Sequence, residues 1–76
     1  MPGRLRQVEP AAEVRTALTL LTDLERAAIE LAYFGGHSYR DVAAMLGQPE
    51  GTIKSRIRSG LMRLRRILAE EGTVAA

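Results

Sequence analysis

Apolar residues recur at helical spacing in four successive stretches of the chain. In the first stretch, Val14, Leu18 and Leu21 lie three or four residues apart, which predicts an amphipathic helix that ends near Leu21. Pro10 stands where the first turn of this helix tolerates proline. The preceding residues 1–9 are polar and show no apolar period, so we expect a flexible tail or the remnant of a linker there.

The second stretch begins with a capping box. The Thr22 hydroxyl can accept a hydrogen bond from the Glu25 amide while the Glu25 side chain reaches back, and this arrangement predicts a helix start. The helix is expected to run to about Phe34 and to end with Gly35 in the left-handed cap position. Its predicted inner face contains Leu24, Ala28, Leu31 and Ala32, with Ile29 and Tyr33 on the flank.

The third stretch is short. Ser38 precedes it and Asp41 follows three residues later, which again predicts a capped helix start. Gly47 is expected to end this helix after about two turns, and Pro49 follows, as is common just past a helix end. The residues predicted to face the core are Tyr39, Val42, Ala43 and Leu46.

The fourth stretch is the longest and predicts a helix over about residues 50–69. Its apolar stripe repeats at intervals of four, four, three and four residues and consists of Ile53, Ile57, Leu61, Leu64 and Leu68, with Ile67 beside it. Gly60 lies in the middle of this helix, where glycine costs up to about 1 kcal/mol relative to alanine. Because Gly60 borders the stripe, we expect close packing against another helix there rather than a hinge.

The third and fourth helices are joined by only three residues, Gly47, Gln48 and Pro49. This short connection predicts a helix-turn-helix, in which the third helix packs on the fourth and holds its N-terminal half out from the domain. The whole pattern predicts an all-α fold. We expect a four-helix domain over residues 10–70, with a C-terminal helix-turn-helix and a long basic last helix, followed by a flexible tail over residues 71–76.

Length and composition restrict the class of protein. The chain has 76 residues, which make one domain at most. It contains no cysteine, and this excludes disulfides and zinc–thiolate sites. No apolar run approaches the roughly 20 residues that a membrane span needs, and the first residues lack the apolar core of a signal peptide. We therefore expect a soluble cytoplasmic protein with no membrane insertion.

Charge is distributed unevenly along the chain. Residues 1–49 contain five arginines and six acidic residues, a balance of −1, whereas residues 50–76 contain six basic and three acidic residues, a balance of +3. All six of these cations lie between Thr52 and Leu68, where there is no acidic residue. This asymmetry favours a polyanion as the partner of the fourth helix, although a solvated helix face has the same pattern.

A helix-turn-helix with a basic second helix predicts DNA binding, since the major groove of B-DNA admits a helix. Amides at the start of that helix can meet a phosphate, and side chains farther along can meet base edges or flanking phosphates. The predicted base-reading residues are Lys54, Ser55, Arg58 and Ser59. The predicted contacts to the DNA backbone are Gly51, Thr52, Arg56, Arg63, Arg65 and Arg66, and the arginines among them could serve a protein partner instead.

Three segments resemble a known family: residues 21–26 (LTDLER), residues 33–43 (YFGGHSYRDVA) and residues 46–56 (LGQPEGTIKSR). In combination they are similar to region 4 of bacterial sigma factors, above all to the extracytoplasmic-function (ECF) group. The resemblance covers about residues 18–68. It implies a four-helix domain that binds the −35 element of double-stranded promoter DNA and docks on the β flap of the RNA polymerase core.

The resemblance also implies roles for individual residues. By position, Lys54, Ser55, Arg58 and Ser59 match base-reading residues of the family, and Gly51, Thr52 and Arg56 match backbone-contacting or helix-start residues. The chain departs from the family pattern at Ser59, where a basic residue is common, and at Gly60, where alanine is common. The base preference at that edge of the site is therefore not carried over from the family.

Whole ECF sigma factors carry a further N-terminal region that opens the promoter, and nothing in these 76 residues corresponds to it. The resemblance therefore implies a C-terminal fragment that recognises DNA without melting it. It also implies regulation by an anti-sigma factor, which in many family members covers the surfaces that bind DNA and polymerase.

Three other classes are open alternatives. The output domain of a response regulator has a similar pattern of segments, but it usually dimerises through an additional C-terminal helix. A protein-interaction module would use the apolar stripe and Met62 to dock a partner. An enzyme is disfavoured, because His37 is the only histidine and stands in a glycine-rich loop without cysteines or paired carboxylates nearby. We expect no catalytic residue, no cofactor and no metal.

Overall fold

The computed structural model describes residues 11–70, and within this range the chain folds into four helices. They are α1 (Ala12–Leu18), α2 (Asp23–Ile29), α3 (Tyr39–Leu46) and α4 (Glu50–Glu70), with a π-helical turn over Glu30–Phe34 that continues α2. The predicted all-α fold with a C-terminal helix-turn-helix and a long last helix is confirmed. The tails predicted for residues 1–9 and 71–76 lie outside the described residues, and so does Pro10.

Helix α1 ends at Leu18, earlier than the predicted end near Leu21. The amides of Thr19, Leu20 and Leu21 each donate to the carbonyl three residues back, so the chain continues in tight turns instead of α-helix. The Thr19 hydroxyl also donates to the Thr16 carbonyl, at 2.6 Å. These turns leave Leu20 exposed and place Leu21 in the core, directly before α2 begins.

Both predicted helix caps are present. At α2 the Thr22 hydroxyl accepts a hydrogen bond from the Glu25 amide at 3.1 Å, and the Thr22 amide donates to the Glu25 carboxylate at 3.0 Å. At α3 the Ser38 hydroxyl accepts a hydrogen bond from the Asp41 amide at 3.1 Å. Each cap satisfies an amide that a helix start leaves without an intrahelical partner, so local sequence fixes where both helices begin.

The prediction of a left-handed cap at Gly35 is wrong by one residue. The second helix closes with a π turn, in which the Gly35 amide donates to the Glu30 carbonyl at 2.8 Å. Gly35 stays in the right-handed region with a φ of −91°, and Gly36 takes the left-handed conformation with a φ of +76°. A π turn contains one more residue than an α-helical turn. The left-handed residue that ends the helix is therefore shifted by one position toward the C-terminus.

The core lies where α1, α2 and α3 pack against α4. Its largest fully buried side chains are Leu18, Ile29, Val42, Ile53 and Ile57. The sequence pattern places Ile29 on the flank of α2, but Ile29 is buried because this side of α2 meets α4 at Gly60. Of the predicted inner face of α2, only Ala28 is fully buried, and the other three residues are half-buried around the core.

The buried row of α4 differs from the predicted stripe at one position. The row consists of Ile53, Ile57, Gly60, Leu64 and Leu68. Leu61 is half-buried at the edge of the core, because Gly60 takes the central place facing α2. A Cβ placed on Gly60 would lie 2.7 Å from Cδ1 of Ile29 and 3.2 Å from Cβ of Glu25. The predicted close packing at Gly60 is therefore confirmed.

We expect Gly60→Ala to destabilise the domain by about 1 kcal/mol, although alanine in a helix is normally more stable than glycine by about that amount. The added methyl group meets Ile29 and Glu25, and overpacking typically costs about 1–3 kcal/mol. Gly51→Ala is the matched control, because a Cβ there has no neighbour within 4 Å. Urea denaturation followed by the helical circular dichroism signal measures both variants. A gain in stability from Gly60→Ala would show that the two helices are not in close contact.

The turn between α3 and α4 sets up the helix-turn-helix. Gly47 ends α3 in the left-handed conformation, with a φ of +64°, which side-chain-bearing residues rarely adopt. The Gln48 amide donates to the Ala43 carbonyl at 2.9 Å, and the Ile53 amide donates to the Pro49 carbonyl at 3.1 Å. Helix α4 therefore begins directly after the turn, with α3 packed on one side of it and its other side exposed.

Candidate nucleic-acid interface

The N-terminal half of α4 exposes three of the four predicted base-reading residues. Lys54, Ser55 and Arg58 are all exposed, away from the buried row of this helix. The Lys54 ammonium lies 3.9 Å from the Glu50 carboxylate one turn earlier, and about half of each side chain is exposed. Because exposed ion pairs contribute little, this one leaves the Lys54 charge available to another anion.

The first turn of α4 supplies backbone donors. Amides in the first turn of a helix lack intrahelical partners, and the first intrahelical bond here is donated by Ile53 to the Pro49 carbonyl. Gly51 is exposed and has open space where a side chain would stand, and Thr52 is half-buried. The positive end of the helix dipole adds to these donors. This end of α4 therefore suits a phosphate group.

Four arginines extend the positive charge along the exposed sides of α4. Arg56, Arg58, Arg65 and Arg66 are exposed, and none of them forms a salt bridge with an acidic residue in the described part of the chain. Arg58 and Arg65 lie two helical turns apart on one face, about 10 Å along the axis. Cations distributed in this way suit an extended polyanion such as the DNA backbone.

Ser59 and Arg63 differ from the other predicted DNA contacts, because both bind protein groups near α2. The Ser59 hydroxyl donates to Oε2 of Glu25 at 2.8 Å. The Arg63 guanidinium lies 3.5 Å from Oε1 of Glu25 and donates to the Leu20 carbonyl at 3.3 Å. The sequence predicts base reading for Ser59 and a backbone contact for Arg63, but it gives no sign of these partners within the domain.

Glu25 is the one buried charged residue within residues 11–70, and only 5% of its surface is exposed. Burial raises the pKa of its carboxyl group, but the hydrogen bonds from Thr22 and Ser59 and the charge of Arg63 outweigh burial and lower the pKa below its ordinary value. A lowered pKa stabilises the fold at neutral pH, and this contribution is lost as the pH falls through the lowered value. The sequence predicts Glu25 only as a helix cap. Its partner Ser59 is 34 residues away, and short-range sequence patterns do not reveal such a contact.

Tyr39 lies beside the interface, and the sequence predicts only part of its surroundings. The pattern predicts that Tyr39 faces the core, and the side chain does pack against the core while it remains half-buried. It also lines a cavity of about 230 Å³ together with Lys54 and Arg58. Its hydroxyl lies 3.4 Å from that of Tyr33, and this hydrogen bond raises the pKa of Tyr33. The start of α3 therefore borders the exposed cations of α4.

An apolar groove runs along the C-terminal half of α4. Its volume is about 500 Å³, and it is lined by Arg58, Leu61, Met62, Leu64, Arg65 and Leu68. Met62 is 61% exposed, more than any other large apolar residue in the described range. Because two exposed arginines of α4 border the groove, a molecule that fills it would also meet these cations.

The helix-turn-helix and the helices around it match a known family. A family model for sigma-70, region 4, matches residues 11–64, which include α1, α2, α3 and most of α4. The chain belongs to the sigma-70 region 4 family. The family resemblance carried by the three sequence segments is thereby confirmed.

Curated relatives of this region 4 domain are ECF RNA polymerase sigma factors. RpoE of Cereibacter sphaeroides is 50% identical over 54 residues, which are 71% of this chain and 30% of the relative. SigK of Mycobacterium tuberculosis is 47% identical over 55 residues, 72% of this chain and 29% of the relative. SigM of Mycobacterium tuberculosis is 45% identical over 65 residues, 86% of this chain and 33% of the relative. The chain spans about a third of the length of these relatives, and its resemblance to the ECF group is confirmed.

None of the helices in residues 11–70 is both long enough and apolar enough to cross a membrane. In the same part of the chain, no three His, Cys, Asp or Glu side chains are grouped so that they could hold a metal ion. The feature of this region 4 domain with the clearest chemistry is the exposed cationic side of α4.

Proposed function

We propose that this region 4 domain recognises the −35 element of promoter DNA, with the N-terminal half of α4 in the major groove. One observation carries the proposal: at the start of α4, backbone donors, an unobstructed glycine and exposed polar side chains lie together on one helix. In the major groove each base pair presents its own pattern of donors and acceptors to such a helix. Membership of the sigma-70 region 4 family and the ECF sigma factor relatives support this role.

The exposed residues of α4 divide into two proposed groups. The base-reading group is Lys54, Ser55 and Arg58, and the phosphate-contacting group is Gly51, Thr52, Arg56, Arg65 and Arg66. Arg58 is the strongest candidate for specificity, because a guanidinium can donate two parallel hydrogen bonds to guanine. The DNA contacts predicted for Ser59 and Arg63 stay predictions, and both side chains are bound to Glu25 in the free domain.

We further propose protein partners: the RNA polymerase core, through its β flap, and an anti-sigma factor. The relatives are named as sigma factors of RNA polymerase, and the open apolar groove along α4 is a surface that a protein helix can fill. Because Arg58 and Arg65 border the groove, a partner there would cover cations that are proposed to contact DNA. The proposed role is that of a cytoplasmic DNA-binding regulator, not an enzyme.

Footprinting on duplex DNA tests this function against the alternatives. We expect protection of a single asymmetric site and an affinity that falls steeply with salt, because each neutralised phosphate releases counterions. Paired half-sites one helical turn apart would favour a dimeric response-regulator output domain. Absence of salt-dependent DNA binding would favour a protein-interaction module. A duplex of the same length and scrambled sequence is the control, and micromolar protein is needed since one small module supplies few contacts.

A further inference from the structure

Glu25 of α2 and Gly60 of α4 lie in close contact. Gly60 has no side chain, so α4 approaches α2 closely enough that a Cβ there would lie 3.2 Å from Cβ of Glu25. Glu25 is 5% exposed, and its carboxylate therefore has to find its hydrogen-bond partners inside the domain. The two helices therefore approach each other closely at the place where a buried charge is held.

Both oxygens of the Glu25 carboxylate are used, and they connect α4 to the start of α2. Oε1 accepts a hydrogen bond from the Thr22 amide at 3.0 Å and pairs with Arg63 at 3.5 Å. Oε2 accepts a hydrogen bond from the Ser59 hydroxyl at 2.8 Å. Ser59 and Arg63 lie four residues apart, so one carboxylate holds two successive turns on the same face of α4. Two attachments one turn apart restrict rotation of α4 about its own axis.

Rotation of α4 would change which base edges it reaches, because α4 is one continuous helix from Glu50 to Glu70. Side-chain atoms lie about 5–6 Å from a helix axis, so a roll of about 20° moves them by about 2 Å. A displacement of that size breaks a hydrogen bond, whose length varies by only a few tenths of an ångström. Arg58 immediately precedes Ser59, so whatever fixes Ser59 also fixes the direction of Arg58.

We propose that Glu25 is a positioning residue for DNA recognition. It acts through Ser59 and Arg63, sets the rotation of α4, and thereby determines which base pairs Arg58 reads, without contacting DNA itself. This inference rests on the proposed function. It also gives Arg63 a role different from a phosphate contact, since Arg63 is tied to Glu25 and to the Leu20 carbonyl.

The first test compares Arg63→Met with Arg66→Met in the full 76-residue chain. Both variants remove one positive charge from an exposed side chain of α4 and keep an apolar stem, but only Arg63 pairs with Glu25, and Arg66 has no salt bridge within residues 11–70. Affinities are measured for the preferred duplex, for duplexes with single base-pair changes, and for a scrambled duplex. We expect Arg66→Met to weaken binding to all duplexes equally. We expect Arg63→Met to have this effect too, and also to reduce the discrimination at the base pairs read by Arg58, by about threefold or more.

The second test compares Glu25→Gln with Glu30→Gln, which change the net charge equally. Glu30 is exposed, and its variant should keep the base preference of the unaltered chain. Glu25→Gln keeps the shape of the side chain but loses one acceptor and the pairing with Arg63, and we expect it to lower discrimination by about tenfold. Circular dichroism establishes that each variant is folded at the temperature of measurement. Should Glu25→Gln not fold, the comparison of Arg63→Met with Arg66→Met decides the matter alone.

The outcomes separate the inference from the proposed function. An unaltered chain without any base preference would overturn the proposed function and the inference with it. An unaltered chain that discriminates, together with folded Arg63→Met and Glu25→Gln variants that discriminate equally well, would overturn only the positioning role. If Arg63→Met weakened binding to all duplexes equally, as we expect for Arg66→Met, the result would support a phosphate contact for Arg63 instead.

Discussion

Ile53→Ala is expected to unfold a large fraction of the domain. Ile53 is 0% exposed and stands in the first turns of α4, where α3 packs against it. Removing three buried carbon atoms from such a site costs about 2–5 kcal/mol, because the lost apolar burial is joined by the cost of the cavity. A core of this size rarely supplies more than about 3–5 kcal/mol of net stability, so the loss is comparable to the whole. Thermal unfolding followed by circular dichroism measures it.

Met45→Ala is the matched control for this prediction. Met45 is a large apolar residue of the neighbouring helix α3, but it is 53% exposed. Substitutions at exposed positions usually change stability by no more than about 0.5 kcal/mol, so the melting temperature should stay close to that of the unaltered chain. Equal losses in the two variants would mean that Ile53 does not lie in the core between α3 and α4.

Arg58→Ala is expected to remove about 1–3 kcal/mol of discrimination at one or two base pairs. Arg58 is exposed beside Lys54 and Tyr39 on the part of α4 that we propose enters the major groove. Without the guanidinium, guanine no longer receives two hydrogen bonds from Arg58. The domain should then bind duplexes with a different base pair at that position about as tightly as the preferred duplex. Competition titrations with duplexes that differ in single base pairs measure the discrimination directly.

Arg65→Ala is the control for Arg58→Ala, since the same charge is lost from the same face of α4 two turns farther along. At that distance along the helix we propose a phosphate contact, which carries no base information. We therefore expect Arg65→Ala to weaken binding to all duplexes about equally and to reduce the salt dependence by about one counterion. Base-specific effects from Arg65→Ala would place the reading surface farther along α4.

The parts of the fold that depend on local hydrogen bonds could be predicted from the sequence. The capping box of Thr22 and Glu25 and the cap at Ser38 are short-range patterns, and both are present where they were predicted. The apolar spacing of residues 50–69 likewise predicts a long helix, and α4 ends at Glu70, within one residue of that prediction. Local rules therefore sufficed for the number and order of the helices.

The features that sequence reasoning did not predict depend on contacts between distant residues. Spacing alone places Leu61 in the stripe of α4, but the close approach of α2 turns Gly60 inward and leaves Leu61 at the edge. The π turn that moves the left-handed residue to Gly36 also has no local signal in the sequence. At the candidate site, exposed cations could be predicted from the charge pattern, whereas the bonds from Ser59 and Arg63 to Glu25 could not.

We propose that the N-terminal half of α4 reads DNA sequence. The most direct measurement is a binding selection from a pool of randomised duplexes, carried out in parallel with the unaltered chain, Arg58→Ala and Arg65→Ala. We expect the unaltered chain and Arg65→Ala to recover the same sequence, and Arg58→Ala to recover it with one or two adjacent positions randomised. Recovery of one identical sequence by all three proteins, or of no sequence by the unaltered chain, would contradict base reading by this helix.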